Sequence, residues 1–286
     1  MSPRFNDNEP SFSVWRACVR IFVSLSRGFG ALIFKTFKII SGMTDMHTTE
    51  KECDPMGRAI ADYYHTGRAG KLRVFSSMFY EDKIPVATLF RKFADMPPQE
   101  QKMLEMARGR VLDVGAGSGC HSVELANMGL KDVVAIDISR LSVDVMIERG
   151  VDARCVNFFD DSFSETFDTI IMPMNGIGIV GRLDKLPLFF SRAKRLLRTG
   201  GQILLDSSDI RYVFEDEDGN MDADSFDGYY GEVDYKMRYR DVQGEPFDWL
   251  YIDFRTLSER AALAGFKCEL CAEGNHYDYL ARLVAD

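Results

Sequence analysis

From residue 111 onward the chain alternates two hydrophobic patterns. Short, almost wholly apolar runs at 111–114, 133–137, 153–157, 167–172 and 202–206 read as buried strands. Between them, 120–128, 141–149 and 186–197 carry apolar residues at three- and four-residue spacing and read as helices. Apolar strands alternating with helices predict a mostly parallel sheet covered on both faces. Upstream, 54–70 reads as a helix with Ile60, Ala61, Tyr63 and Tyr64 as its apolar positions and Pro55 at its start. Residues 76–80 and 84–93 read as further helical pieces, stopped by Pro97-Pro98, and 100–108 restarts a helix that leads into the first strand.

Downstream the period changes to two. Val233, Tyr235, Met237 and Tyr239 share one side of 231–239, Gly244 turns the chain, and 247–254 is extended again. This predicts a β-hairpin, at about 229–254, inserted after the fifth strand. Thr256 with Glu259 three residues on forms a capping box for a helix to Ala264. Closing strands at 266–271 and 277–284 flank the turn Glu273-Gly274-Asn275. The organisation expected is an extension at 1–42, a helical cap at 43–108 and a sheet domain at 109–286 carrying the hairpin.

The extension mixes Trp15, Ile21, Phe22, Phe29, Ile33 and Phe37 with Arg16, Arg20, Arg27, Lys35 and Lys38. It lacks the roughly 18 uncharged residues a membrane span needs. Residues 12–40 fit a basic amphipathic helix on an anionic membrane surface; the alternatives are a dispensable segment or a targeting peptide. A cytoplasmic location is expected, with membrane association through this segment.

The 286 residues are 46% hydrophobic and 28% charged, which suffices for a large core. A net charge of -9 weighs against a chain-wide nucleic-acid surface. Six cysteines in a chain this long are not a disulfide scaffold, and the Cys268-x-x-Cys271 pair lies in a strand-like run with no second pair at metal-ligand spacing. The acidic stretch 214–230 does not match a calcium loop, because Gly219 falls at the wrong offset. No metal is expected; the stretch reads as a solvated loop at the rim of the site.

The chemistry concentrates at Val111-Leu112-Asp113-Val114-Gly115-Ala116-Gly117-Ser118-Gly119, a strand running into a glycine turn, followed one helix later by a strand tipped with Asp137. This is a half-site for a nucleoside-containing cofactor. A nicotinamide dinucleotide site expects G-x-G-x-x-G, and here Cys120 stands where the third glycine belongs. Asp113 disfavours a diphosphate and suits a cationic amino-acid moiety, while Asp137 can accept from a ribose diol.

In combination these residues resemble class I S-adenosylmethionine-dependent methyltransferases. The resemblance rests on residues 111–119, on Val134-Ala135-Ile136-Asp137-Ile138, on Phe167-Asp168 opening the fourth strand, and on Gly200-Gly201 before the fifth. The string 174–181 is similar to a group of methyltransferase-like proteins of unassigned substrate. The resemblance implies a three-layer Rossmann-like α/β fold with a seven-stranded sheet ordered 3-2-1-4-5-7-6, the seventh strand antiparallel. It implies S-adenosylmethionine as cofactor, with Gly115, Ala116, Gly117 and Gly119 around its methionine and ribose parts and Asp113 near its amino group. Asp137 would hold the ribose hydroxyls, Ile138 would pack near the adenine, Asn157 in place of the usual acid or, less well aligned, Asp160 would read the adenine amino group, and Met174 would lie beside the methyl.

The reaction expected is methyl transfer to an O, N or C nucleophile on a small molecule. A non-catalytic cofactor-binding partner, or a protein or nucleic-acid methyltransferase, is the alternative. Residues 174–177 lack the Asn/Asp-Pro-Pro-aromatic tetrad common in enzymes that methylate base amino groups. Asn175 could orient the acceptor, Asp206 or Asp209 could act as a weak base, and His276 is a further base candidate. Tyr229, Tyr230 and Trp249 could wall the acceptor, or simply pack the hairpin.

Overall fold

The computed structural model describes residues 48–216, 220, 221, 226, 228–275 and 277–285. The extension at 1–42, with the surface contact expected of 12–40, lies outside the described residues, as do His276 and part of the acidic stretch.

The main sheet has seven strands. They are β3 (Val111–Val114), β4 (Val133–Asp137), β5 (Asp152–Cys155), β6 (Phe167–Met172), β7 (Leu197–Ser208), β11 (Phe266–Glu273) and β12 (Asp278–Ala285), in the spatial order β11-β12-β7-β6-β3-β4-β5. Counted within this sheet, the order is 3-2-1-4-5-7-6, as expected. β3 to β7 are mutually parallel, and β12 runs antiparallel to both β7 and β11.

The strand periodicity divides the core. Leu112, Ile136, Ile170, Met172, Ile203 and Leu205 face α5 (Leu186–Leu196) and α6 (Phe254–Leu263) through Phe189, Phe190, Leu257 and Ala261. Val111, Ile171 and Leu204 face the other way, against Met103 and Leu104 of α2 (Pro98–Met106) and Leu125 of α3 (Cys120–Asn127). Ala135 shares that second face and packs on Val143 and Met146 of α4 (Arg140–Glu148). Helices, sheet, helices: three layers, with the central strands β3 and β6 buried on both sides and the edge strands β5 and β11 half-exposed.

The cap departs from the helical reading. Its helices α1 (Pro55–Thr66) and α2 are present, and α1 ends four residues short of expectation because Gly67 turns left-handed at φ +70°. Between them, however, lie β1 (Leu72–Phe75), β2 (Asp82–Ile84) and short 3-10 turns at Val86–Phe90 and Phe93–Asp95. The inserted hairpin does not stand alone either. β8 (Glu232–Tyr239) pairs with β1, with β9 (Val242–Gln243) and with β10 (Phe247–Leu250), so cap and insert form one five-stranded antiparallel sheet. Along β8, Val233 and Tyr239 are the buried positions, in keeping with the predicted alternation. The tight turn comes at Arg240, φ +53°, rather than at Gly244. Helix α6 starts three residues earlier than expected: Asp253 is its cap, accepting from the Thr256 amide at 2.9 Å, and Glu259 pairs instead with Arg255.

Candidate functional site

The glycine loop leaves β3 with Gly115, Gly117 and Gly119 all at positive φ (+67°, +58° and +75°). Side chains are strained there, which is why the sequence spends glycine at alternate positions. The Gly115 and Ala116 amides both donate to Ile136 O, at 2.9 and 3.1 Å, curling the loop toward β4. A Cβ on Gly115 would meet nothing within 4 Å, so this turn borders open space. Gly119 is tight instead, with Met146 Cγ 2.9 Å from where a Cβ would lie. The Ser118 hydroxyl donates to Leu89 O, and Arg149 donates to the Ser118 carbonyl and hydroxyl, so the cap and α4 both hold the loop.

Asp137, at the end of β4, is the clamp of this loop. Its carboxylate accepts from the Gly117 amide and from the Ser139 amide, each at 2.8 Å. Burial pushes its carboxyl up to about 6 against the pull of those two bonds. The cap reaches the same place. The Thr49 amide donates to Ile138 O at 2.9 Å, and the Ser139 hydroxyl donates to buried Asp54, which also caps α1 by accepting from the Gly57 amide at 2.7 Å. Ile138 is 43% exposed, an apolar side chain standing free beside the carboxylate. Asn157 lies just past β5, with its side-chain oxygen accepting from the Phe159 amide at 2.9 Å.

Asp113 is fully buried on the α2–α3 side of the sheet, beside the apolar cluster of Val111, Met103, Leu104 and Leu125. One carboxylate oxygen accepts from the Ser122 hydroxyl at 2.7 Å; the other has no partner. A buried charged oxygen left so is costly and marks a place for a donor. Behind Asp113 lies a cluster that sequence reading did not single out. His121 Nε2 is 2.8 Å from Glu100, Arg91 bonds the same Glu100 oxygen, and His121 Nδ1 lies 3.5 Å from the Cys120 sulfur. Burial alone would pull the His121 imidazole down; the Cys120 sulfur, Glu100 and Asp113 outweigh it and push it up to about 10.

Beyond β6 the backbone turns through two successive left-handed residues, Met174 at φ +60° and Asn175 at φ +58°. Such strain concentrates where a structure holds a functional turn. Met174 is 42% exposed. Both ends of the Asn175 amide are engaged: Nδ2 donates to Leu250 O at 3.2 Å, and Oδ1 accepts from the Ser207 hydroxyl at 2.7 Å. Its backbone N–H donates to Asp206 Oδ1 at 2.8 Å. Burial, and the negative charge of Glu100, push the Asp206 carboxyl up to about 7. Asp209 accepts from the Tyr230 hydroxyl at 2.7 Å and from the Arg211 amide at 2.9 Å.

The glycines after Asn175 have a packing reason. A Cβ on Gly178 would sit 2.1 Å from the Trp249 ring, so the 3-10 turn Gly176–Val180 is flattened against β10. Trp249 thus packs the insert. Tyr229 and Tyr230 pack with centroids 4.5 Å apart and planes tilted by 43°, with Tyr229 donating to Asp253 at 2.6 Å. Tyr212 and exposed Tyr277, stacked at 5.0 Å and 13°, were not anticipated; they stand at the Asp209 end of β7. The cysteine pair lies away from all this on β11, where burial pushes the Cys268 thiol up to about 12. Among the described residues no group of three or more His, Cys, Asp or Glu side chains could hold a metal ion.

Residues 111–201 match the family model described as a methyltransferase domain. Among solved structures, an S-adenosylmethionine-dependent methyltransferase from Bacteroides fragilis, in complex with S-adenosyl-L-homocysteine, is 61% identical; the match covers 84% of this chain and 98% of that one, with a TM-score of 0.79. The CcbJ methyltransferase from Streptomyces caelestis, 16% identical over 83% of this chain and 100% of its own, shares the fold at a TM-score of 0.53. No match is found among curated proteins.

Proposed function

The chain belongs to the class I S-adenosylmethionine-dependent methyltransferases, and from that premise we propose that it methylates a small molecule held between the ends of β6 and β7 and the sheet built from cap and insert. S-adenosylmethionine is its cofactor. The residues fit that group: open space at Gly115, an unpartnered buried oxygen on Asp113, and a carboxylate on Asp137 at the next strand tip. The loop Gly115–Gly119 would run along the methionine and ribose parts, Asp113 would accept from the amino group, and Asp137 would accept from the ribose diol with its remaining lone pairs. Ile138 and Asn157 would border the adenine.

When bound, the cofactor supplies a methyl group already activated by its sulfonium. The protein must therefore align an acceptor and exclude water. We assign the alignment to the strained Met174-Asn175 turn. With both ends of its side-chain amide engaged by Leu250 and Ser207, Asn175 would act through its backbone N–H, which positions Asp206, rather than by touching the acceptor. Asp206, with its carboxyl near 7, is the group suited to take a proton from an acceptor hydroxyl or amine around neutral pH. His276, outside the described residues, stays a base candidate on sequence alone.

The observation that carries the small-molecule reading is the cover over the site. Leu250 O and the Ile252 amide bond the ends of β6 and β7 through Asn175 and Ser207, and Phe79 of the cap meets Phe214 at 6.2 Å. A net charge of -9 points the same way, against nucleic acid. Cytoplasmic location, with surface contact through residues 12–40, belongs to the same reading and rests on the sequence. Among the described residues no helix is long and apolar enough to cross a membrane. The test is transfer of radiolabelled methyl from the cofactor to fractionated extract, followed by the mass shift of the labelled species. Label in compounds of low molecular mass is the expected result; label confined to protein or nucleic acid overturns the proposal.

A further inference from the structure

From the cap inward, four buried or half-buried groups alternate in charge. Arg91 bonds Glu100 of α2, Glu100 bonds His121 in the first turn of α3, and the charge of His121 is felt at Asp113 of β3, whose carboxylate is held by Ser122 next to His121 in the chain. The His121 side chain is 3% exposed and that of Glu100 is 7%. Both belong to the sheet face on which Asp113 lies, and neither borders the open side of the glycine loop. The groups facing His121 are Cys120 on its own helix, Glu100 on α2, Asp113 on β3 and Asp206 on β7.

We propose that the buried His121–Glu100 pair acts through Asp113 to hold the amino-acid end of the cofactor. Asp113 can offset the charge of a cationic amino group only as a carboxylate, and its complete burial works against that state. An imidazolium behind it supplies the compensating charge from within the protein. Glu100 keeps that imidazolium charged and oriented, and Arg91 in turn balances Glu100. His121 is thus a positioning residue: it touches Asp113's field, not the cofactor. Being an α3 residue bonded to an α2 residue, it also ties cofactor affinity to the seating of the cap. The inference rests on the reading of Asp113 as acceptor for the amino group.

Three measurements test it on the full chain. Ring nitrogen and carbon shifts of His121 should show an imidazolium from pH 6 to pH 8.5; a neutral ring at pH 7.5 overturns the proposal without any variant. Calorimetric titration with S-adenosyl-L-homocysteine should show that His121→Gln and Glu100→Gln each weaken binding at least about tenfold at pH 7.5. In both variants affinity should rise with pH, as Asp113 ionises later. Titration with 5′-methylthioadenosine, which lacks the amino-acid end, should change less than about twofold. Equal weakening of both ligands means a merely structural role and overturns the inference. Undiminished homocysteine-adduct binding in Asp113→Asn sinks the underlying reading of Asp113; loss there with full binding in His121→Gln sinks the inference alone.

Discussion

The backbone N–H of Asn175 donates to Asp206 at 2.8 Å, so the turn after β6 and the end of β7 share one carboxylate. The bond orients that carboxylate whatever its protonation state. It also explains why a left-handed Asn is kept where an ordinary turn residue would serve: the strained backbone aims its N–H sideways, across to the next strand.

Asp206→Asn should lower kcat by roughly 10² while changing KM little, since the amide can still accept from Asn175 but cannot take a proton. In the parent enzyme the rate should rise with pH through about 7, the value to which burial pushes Asp206, and this limb should be absent from the variant. A pH–rate profile of both enzymes checks it.

Stability should carry the same signature with a definite sign. The Asp206 carboxyl binds its proton more tightly folded, near 7, than at its ordinary 3.8. The folded state therefore holds the extra proton between these values, and stability falls as pH rises from about 4 to about 7. Asp206→Asn removes this contribution, so its melting temperature relative to the parent should be higher at pH 8 than at pH 5. Thermal unfolding of both proteins at the two pH values measures it.

Asp137→Ala should weaken binding of S-adenosyl-L-homocysteine by roughly 10². It removes acceptors from the Gly117 and Ser139 amides as well as from the ribose. Asp137→Asn, which keeps one oxygen, should fall between the variant and the parent. Calorimetric titration reads both; parental affinity in the alanine variant would sink the ribose assignment.

Gly178→Ala should destabilise the fold by about 1–3 kcal/mol through collision with Trp249. Trp249→Leu in the same background should recover part of the loss, a coupling seen in a double-mutant cycle of denaturant unfolding. Additive effects would mean that the ring yields freely and that the glycine serves something else.

Removing residues 1–42 should leave homocysteine-adduct affinity within about twofold, whereas removing residues 1–54 should weaken it by at least about tenfold. The second cut takes away Thr49, which bonds Ile138, and Asp54, which bonds Ser139. Titration of the two truncated proteins separates the extension from the true beginning of the site.

The parallel strands and the glycine loop were legible because their signals are local, whereas the sheet order followed only from the family resemblance. Strands buried on both faces read as apolar runs, and left-handed turns demand glycine at 115, 117 and 119. Within the cap, the strands were missed because β1 and β2 are short and β8, which pairs with β1, lies far along the chain. Leu72 and Val74 do alternate, but two alternations do not distinguish a strand from a helix. Asn175 stands out in the sequence only by its place after the fourth strand; its bonds are not visible there, since Leu250 and Ser207 reach it only through tertiary folding. His121 and Glu100 escaped notice for the same reason: no spacing rule joins a helix start to a residue in the preceding helix.

The pairing of Leu72–Phe75 with Lys236–Tyr239 bears on how acceptor preference could be transplanted. Exchanging the insert alone between two such enzymes would present β8 of one protein to β1 of another, and every mismatch would fall on a backbone ladder beneath Tyr239. The module to exchange is discontinuous: the segment spanning β1 and β2 together with that spanning β8 to β10. Moved as a pair, they would carry their own register, and the contacts to keep with the cofactor half are Trp249 on Gly178 and Leu250 O with Asn175.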